Sequence, residues 1–209
     1  MKVLIDLFQR GGWAMWLLLA AAVIGFAYII ERAITFARAR VNPKKFTEEL
    51  IRAFRKGGVE AALAYCNQKR TPVARVMEPA LEVYKKYGKK KELLEEALTS
   101  AATSELSFLD RGMLVLAAVA NIAPLIGFLG TVSGMIRAFD AIALAGTVEP
   151  TLVASGISEA LITTATGLAI AIPVAAAHVF FTQKVNAYTR AMEEASSALI
   201  EALMEAEEG

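Results

Sequence analysis

Apolar and charged stretches alternate along the chain. Residues 11–30, 112–136 and 160–183 contain no Asp, Glu, Lys or Arg, and most of their side chains are apolar. A helix rises about 1.5 Å per residue, so each stretch is long enough to cross a hydrocarbon layer about 30 Å thick. The pattern predicts an all-α membrane protein with three transmembrane helices. In agreement, 56% of the residues are hydrophobic, above the roughly 45–50% of a typical soluble domain.

Basic residues near the span ends predict the direction in which each span crosses. Only Lys2 and Arg10 precede the first span, whereas five basic residues follow it closely: Arg32, Arg38, Arg40, Lys44 and Lys45. Because basic flanks stay in the cytoplasm, residues 1–10 and 137–159 are expected to be periplasmic and residues 31–111 and 184–209 cytoplasmic. A cleavable signal peptide is the alternative for the first stretch, although its apolar core is usually only about 7–15 residues long.

The predicted cytoplasmic domain, residues 31–111, is charged and helical in pattern. It carries 17 Lys and Arg against 11 Asp and Glu. Acids are interleaved with bases and aromatic residues are few, which argues against a nucleic-acid-binding surface. Helix boundaries or breaks are expected at four places, Asn42-Pro43, Gly57-Gly58, Thr71-Pro72 and Gly88.

The second and third spans are expected to be long and to extend into the cytoplasm. Leucines and alanines recur at helical spacing from Leu93 to Leu106, and no breaker was identified between this run and the second span. One long helix is therefore predicted there. Beyond the third span, residues 184–209 place an apolar stripe on one helical face: Val185, Met192, Ala195, Leu199 and Leu203.

The second span is rich in small and polar residues, which is unusual for a helix that contacts only lipid. Gly130 and Gly134 are four residues apart, and Gly127 and Thr131 repeat that spacing one turn earlier. Small residues at this spacing let two helix backbones approach closely. The spacing alone is explained equally well by tight packing without any transport role.

The third span opens with a carboxylate and two hydroxyls on one face. Glu159, Thr163 and Thr166 lie at i, i+4 and i+7. An ionisable group at the edge of the bilayer is costly unless it meets protein, water or another charge, so Glu159 is a candidate functional residue. The alternative is an interfacial glutamate paired with Arg137. His178 is either a proton relay or, more simply, a packing residue.

Other functional classes have little support in the sequence. Cys66 is the single cysteine, so neither an intrachain disulfide nor a cysteine metal cluster is expected. The sequence contains no HExxH, GxSxG or P-loop motif, and no enzymatic activity, cofactor or metal is predicted. Three spans without an inverted repeat also offer no obvious alternating-access site for a solute.

Three motifs in the later spans resemble the paired signatures of the MotA/TolQ/ExbB proton channel family, in its ExbB/TolQ branch. They are residues 127–134 (GFLGTVSG), 156–161 (GISEAL) and 164–168 (TATGL). The order of the motifs, the three spans and the large cytoplasmic domain are all similar to that branch. The resemblance implies that Thr131 and Thr164 are the pore threonines of the second and third spans and that Glu159 is the third-span glutamate.

The resemblance also implies partners and a location. Members of the family form a homopentamer in the bacterial inner membrane around helices of an ExbD/TolR-type single-span protein, whose intramembrane aspartate titrates. They use the proton motive force to drive a TonB- or TolA-type effector in outer-membrane transport or envelope maintenance. The residues support a missing partner independently, because threonine hydroxyls can relay or solvate an ion but do not titrate near neutral pH.

The helical-face argument and the resemblance select different threonines. Thr164 lies about 140° from Glu159 around the helix, whereas Thr163 shares its face. Thr163 is therefore kept as a further candidate for the ion pathway or for a seam between subunits. Gly127, Gly130, Gly134 and Gly167 are expected to pack helices together. A structural oligomeric membrane scaffold without ion conduction is the alternative function.

Overall fold

The computed structural model describes residues 2–38, 42–69, 71–146 and 150–205, which form seven α-helices. In chain order they are α1 (Lys2–Arg10), α2 (Ala14–Arg38), α3 (Pro43–Lys69), α4 (Pro72–Tyr87), α5 (Lys91–Asp110), α6 (Met113–Ala145) and α7 (Pro150–Glu205). The described residues of Met1–Arg32 and Gly112–Phe181 form one compact unit, which we call the apolar unit. Those of Ala33–Arg111 and Thr182–Gly209 form a second, the charged unit.

Two helices of the charged unit begin at boundaries that the sequence predicts, and each has a capping residue there. Thr71 Oγ1 accepts a hydrogen bond from the backbone N–H of Ala74 at 3.1 Å, at the start of α4. Asn42 Oδ1 accepts one from the N–H of Lys45 at 3.3 Å, at the start of α3. A proline follows each cap as the first helical residue, where its missing N–H costs no hydrogen bond.

Glycines interrupt or end helices of the charged unit where expected. Gly57 and Gly58 have non-helical dihedral angles inside α3, and Gly58 has a φ of +67°. Gly88, with a φ of +69°, ends α4. The left-handed backbone region is strained for residues with a Cβ and open to glycine. The predicted breaks are confirmed.

Apolar side chains of α3, α4, α5 and the C-terminal part of α7 form the core of the charged unit. Phe54 of α3 packs edge-on against Tyr84 of α4, with ring centroids 5.6 Å apart. The apolar stripe predicted in residues 184–209 is buried at four of its five positions, Met192, Ala195, Leu199 and Leu203; Val185 is half-buried. Each fully buried large aliphatic side chain stabilises the unit by about 1.5–3 kcal/mol.

The long helix predicted to run from the cytoplasmic domain into the second span is interrupted. α5 ends at Asp110 and α6 begins at Met113, because Gly112 adopts a φ of +83°. A Cβ on Gly112 would also lie only 2.6 Å from Cδ1 of Tyr28. Both facts require glycine at this position, so the prediction of one continuous helix is wrong at Gly112.

Helices α6 and α7 both reach into the segment predicted as a periplasmic loop, residues 137–159. α6 continues to Ala145, where Gly146 has a φ of +66° and its N–H bonds to the Ile142 carbonyl at 3.1 Å. α7 begins at Pro150. No glycine or proline lies between Ile136 and Ala145, so nothing in the local sequence ends α6 earlier.

The apolar unit is apolar on its outside as well as in its core. Leu18, Leu116 and Val174 are fully buried. Many large apolar side chains are exposed on the outer faces of its helices, among them Trp16, Val23, Leu125, Phe128, Leu161 and Ile172. A helix that is hydrophobic all round belongs in a protein core or a membrane.

Three helical stretches of the described chain are long and apolar enough to cross a membrane. They are Ala14–Ala37, Lys91–Leu144, which includes α5 and α6, and Val153–Glu205. The prediction of an all-α membrane protein with three transmembrane helices is thereby confirmed. The ends of the spans within the bilayer and the sides on which the termini lie stay predictions.

Candidate functional site

Glycines of α6 bring its backbone directly against α7. A Cβ on Gly127 would lie 2.8 Å from the carbonyl oxygen of Thr163, and one on Gly134 would lie 3.0 Å from that of Gly156. Gly130 lies between them and faces the side chain of Thr163. Such distances leave no room for larger residues, so the three glycines occupy the positions that close helix packing requires.

The α7 side of this contact is also built from small residues. A Cβ on Gly167 would lie 2.6 Å from the carbonyl oxygen of Ala123. Gly156 packs in the same way against Ala138, and it was not among the packing residues selected from the sequence. The signal was present, because Gly156, Ala160, Thr163 and Gly167 recur at intervals of four, three and four.

The structure brings Thr131 of α6 and Thr164 of α7 together. Their hydroxyl groups are directly hydrogen-bonded to each other, and both side chains are half-buried. Thr131 also donates to the carbonyl of Ala160 at 3.0 Å, and the Thr164 hydroxyl contacts the carbonyl of Gly127 at 3.3 Å. The pair therefore bridges the two helices with groups that both donate and accept hydrogen bonds.

Thr163 and Thr166 bond within their own helix. Thr163 is fully buried, at 0% exposure, packs on Gly130, and its hydroxyl lies 3.0 Å from the carbonyl of Ala160. Thr166 Oγ1 donates to the carbonyl of Ile162 at 2.8 Å. The face that the sequence groups with Glu159 is thus divided: Thr163 lies in the α6–α7 contact, and the hydroxyl across from Thr131 belongs to Thr164.

Glu159 forms an ion pair across the same two helices. Its Oε1 accepts from Nη2 of Arg137, and its side chain is only 15% exposed. The Arg137 guanidinium is itself anchored by an Nε contact of 3.4 Å to the carbonyl of Ser133. Pairing with Arg137 is one of the two alternatives that the sequence leaves open for Glu159.

The turn between α1 and α2 packs over this ion pair. Gly12 has a φ of +67°, and a Cβ there would overlap the Glu159 carboxylate. Nearby, Trp13 Nε1 donates to Ser133 Oγ at 3.1 Å, and Arg10 Nη2 donates to Ser158 Oγ at 2.6 Å. These contacts join residues that are far apart in sequence, so no local sequence pattern predicts them.

Two further candidates from the sequence, Cys66 and His178, are not among the residues that form the contacts described above. Cys66 is buried in the charged unit, and burial, with a smaller contribution from Glu78, raises the pKa of its thiol to about 12. A thiol that stays protonated is a poor nucleophile, which fits the expected role as a small buried apolar group. His178 lies in α7 and is half-buried.

Comparison with known proteins places these features in a family. Residues 68–194 match the model of the MotA/TolQ/ExbB proton channel family. The chain is 30% identical over 184 residues to an ExbB homolog from Methanothermobacter thermautotrophicus, covering 87% of the chain and 64% of that protein. It is 44% identical over 95 residues to the biopolymer transport protein ExbB of Xanthomonas campestris pv. campestris, covering 46% of the chain and 37% of that protein.

A relative from the Tol-Pal system has the same percentage identity as the Xanthomonas protein. The chain is 44% identical over 93 residues to the protein TolQ of Haemophilus influenzae, covering 44% of the chain and 40% of that protein. The matched regions thus span less than two thirds of the length of each of these three relatives. The family match covers more than half of the chain and includes the whole α6–α7 contact described above. The chain belongs to the MotA/TolQ/ExbB proton channel family, in its ExbB/TolQ branch.

Proposed function

We propose that this protein is the ion-conducting subunit of a proton-driven complex in the bacterial inner membrane, with Thr131 and Thr164 in the ion pathway. The observation that carries the proposal is the direct hydrogen bond between these two hydroxyls, which joins two apolar helices. Family membership supports the same activity. Glu159 and Thr163 are the further pathway candidates, one at the end of the contact and one within it.

The chemistry of the pair points to a second protein in the pathway. Hydroxyls can solvate or pass on a proton but do not titrate near neutral pH. Residues 112–136 and 160–183 contain no Asp, Glu, Lys or Arg. A carboxylate from a partner can bind and release the proton within the apolar layer. An ExbD/TolR-type single-span protein with an intramembrane aspartate has the required chemistry.

The proposed assembly is a homopentamer whose α6 and α7 helices surround the partner's spans, with the N-terminus periplasmic and the C-terminus cytoplasmic. Exposed apolar residues on α6 and α7, such as Leu125 and Ile172, supply surfaces for such contacts. Each proton that crosses releases about 2.3 kcal/mol per 100 mV of membrane potential. Repeated crossings would move the partner and drive a TonB- or TolA-type effector.

Single substitutions of the two threonines test the pathway. We expect Thr131→Ala and Thr164→Ala to lower proton flux in vesicles that hold the complex with its ExbD/TolR-type partner, because each removes one hydroxyl of the pair. Serine at either position keeps a hydroxyl and is expected to retain most of the flux. Thr166→Ala is the matched control, since the Thr166 hydroxyl bonds only to the carbonyl of Ile162 among the contacts described above.

A structural scaffold without conduction is the second candidate function. The close glycine contacts between α6 and α7 favour it, because they are explained by assembly alone. Flux through the wild-type complex separates the two functions. If the wild type assembles with its partner, by native mass spectrometry, and carries no proton flux, the channel proposal is wrong and the scaffold stands. If Thr131→Ala and Thr164→Ala assemble normally and conduct as well as the wild type, the two threonines are not part of the ion pathway. Failure of the wild type to form a ring larger than a dimer would overturn the proposed assembly.

A further inference from the structure

Two polar contacts link α6 to α7 close to each other. One is the hydroxyl pair of Thr131 and Thr164, and the other is the ion pair of Arg137 and Glu159. Arg137 follows Thr131 by six residues, and Glu159 precedes Thr164 by five. At about 1.5 Å per residue, the ion pair lies about 8–9 Å along the helices from the hydroxyl pair.

The ion pair is built to hold one geometry. Arg137 is fixed at two points, by Glu159 on α7 and by the carbonyl of Ser133 on its own helix. The Glu159 side chain is only 15% exposed, and leaving a shielded carboxylate at the bilayer edge without a cation is costly. Gly12 leaves room for the carboxylate to reach Arg137, because any Cβ there would overlap it.

The hydrogen bond between the two hydroxyls depends strongly on the register of α6 against α7, and the packing of the two helices depends on it less. The glycine contacts hold α6 and α7 close together over several turns, but they do not by themselves place a donor opposite an acceptor. Two short threonine side chains meet in only one register, and a hydrogen bond weakens steeply outside a narrow range of distance and angle. A fixed charge pair on the same two helices supplies the missing constraint.

We propose that Arg137 is a positioning residue for the ion pathway: its ion pair with Glu159 fixes the register of α6 against α7 in which Thr131 and Thr164 meet. The inference rests on the proposed function for the role of the hydroxyl pair. Glu159 then serves as a fixed counter-charge at the end of the pathway, and Gly12 keeps the space in which the ion pair forms.

The register can be measured without any ion flux. In a Cys66→Ala background, Thr131→Cys and Thr164→Cys introduce two thiols whose oxidation to a disulfide by copper–phenanthroline reports how closely the two positions meet. We expect Arg137→Gln and Glu159→Gln each to slow this cross-linking about tenfold, since displacements of about 1 Å already have large effects on reacting groups. The reversed pair, Arg137→Glu with Glu159→Arg, is expected to restore it.

Flux gives the second readout, with the native threonines in place and the ExbD/TolR-type partner present. Proton flux per assembled complex is expected to fall about tenfold in Arg137→Gln, for the same geometric reason, and to recover in the reversed pair. Arg75→Gln is the matched control, because Arg75 also forms an ion pair with a glutamate, Glu105, but does so within the charged unit. It is expected to leave cross-linking and flux unchanged.

Each outcome has one meaning. Unchanged cross-linking in Arg137→Gln would overturn the positioning role, and so would a reversed pair that assembles but restores neither readout. Slower cross-linking together with a wild-type complex that carries no proton flux would refute the proposed function while leaving the register role of the ion pair in place. Slower cross-linking with flux lost and then restored by the reversed pair supports both.

Discussion

Replacing Gly167 with alanine would force α6 and α7 apart at the point where their backbones touch. The added Cβ would lie 2.6 Å from the carbonyl oxygen of Ala123 and 3.2 Å from Cα of Gly127. Carbon–oxygen contacts between helices normally lie at about 3.3–3.6 Å. The helices must therefore separate locally by about 0.7 Å, because neither opposing atom belongs to a side chain that can rotate away.

The cost to stability is moderate and the cost to the site is larger. Overpacking of this kind costs about 1–3 kcal/mol, and alanine in place of glycine returns about 1 kcal/mol through helix propensity. The net loss of stability is therefore about 0–2 kcal/mol. For a chain of this length, each kcal/mol lost lowers Tm by about 2–4 °C. The same separation lengthens the 3.3 Å contact from Thr164 to the Gly127 carbonyl to about 4 Å, beyond hydrogen-bonding distance.

Thermal unfolding of the purified chain and proton flux of the assembled complex would be measured on the same variants. We expect Gly167→Ala to lower flux by a larger factor than its small loss of stability explains. Ala169→Ser is the matched control, since it adds one heavy atom to an exposed position of α7 two residues away. An alanine variant with wild-type Tm and wild-type flux would show that the two backbones are not as close as described.

Three further predictions concern the charged unit. Burial raises the pKa of Cys66 to about 12, from an ordinary value of 9.0, so the folded protein retains a proton that the unfolded chain releases, and stability should fall as pH rises from about 9 towards 12. A thermal unfolding series in which Cys66→Ala shows the same loss between these pH values would contradict this. Tyr65→Phe removes the hydrogen bond that is the main cause of the lowered pKa of the Glu49 carboxyl, so that pKa should rise towards its ordinary value in an NMR titration; no change would count against the bond. Thr71→Ala removes the cap of α4 and should cost about 0.5–2 kcal/mol, while Thr71→Ser should retain most of the stability; equal unfolding of all three proteins would refute the capping role.

Much of the charged unit is predictable because its signals are local. Thr71 and Pro72 define the start of α4 within two residues, and Gly88 defines its end. Caps and left-handed glycines act through the nearest turn of backbone, so a short window of sequence contains the whole cause. Gly112 is the exception: it lies at the edge of an apolar run, where the pattern predicts a transmembrane helix and not a break.

The candidate site is predictable in its residue types and not in its geometry. The resemblance selects Thr131 and Thr164, and the structure brings their hydroxyls together. Helical periodicity alone selects Thr163, which is buried against Gly130. Periodicity says which residues share a face but not which neighbour that face meets. The position of Gly12 over Glu159 depends on how the start of α2 packs on α7, which no local pattern contains.

The backbone-to-backbone contact between α6 and α7 also limits where this protein can deform. Side chains between two helices normally absorb small shifts, because they can change rotamer. At Gly127 and Gly167 no side chain separates the two backbones, so α6 and α7 are expected to move together as one rigid body. Any working motion would then have to take place on their outer faces, where large flexible side chains such as Leu125 and Ile172 can slide past a neighbour.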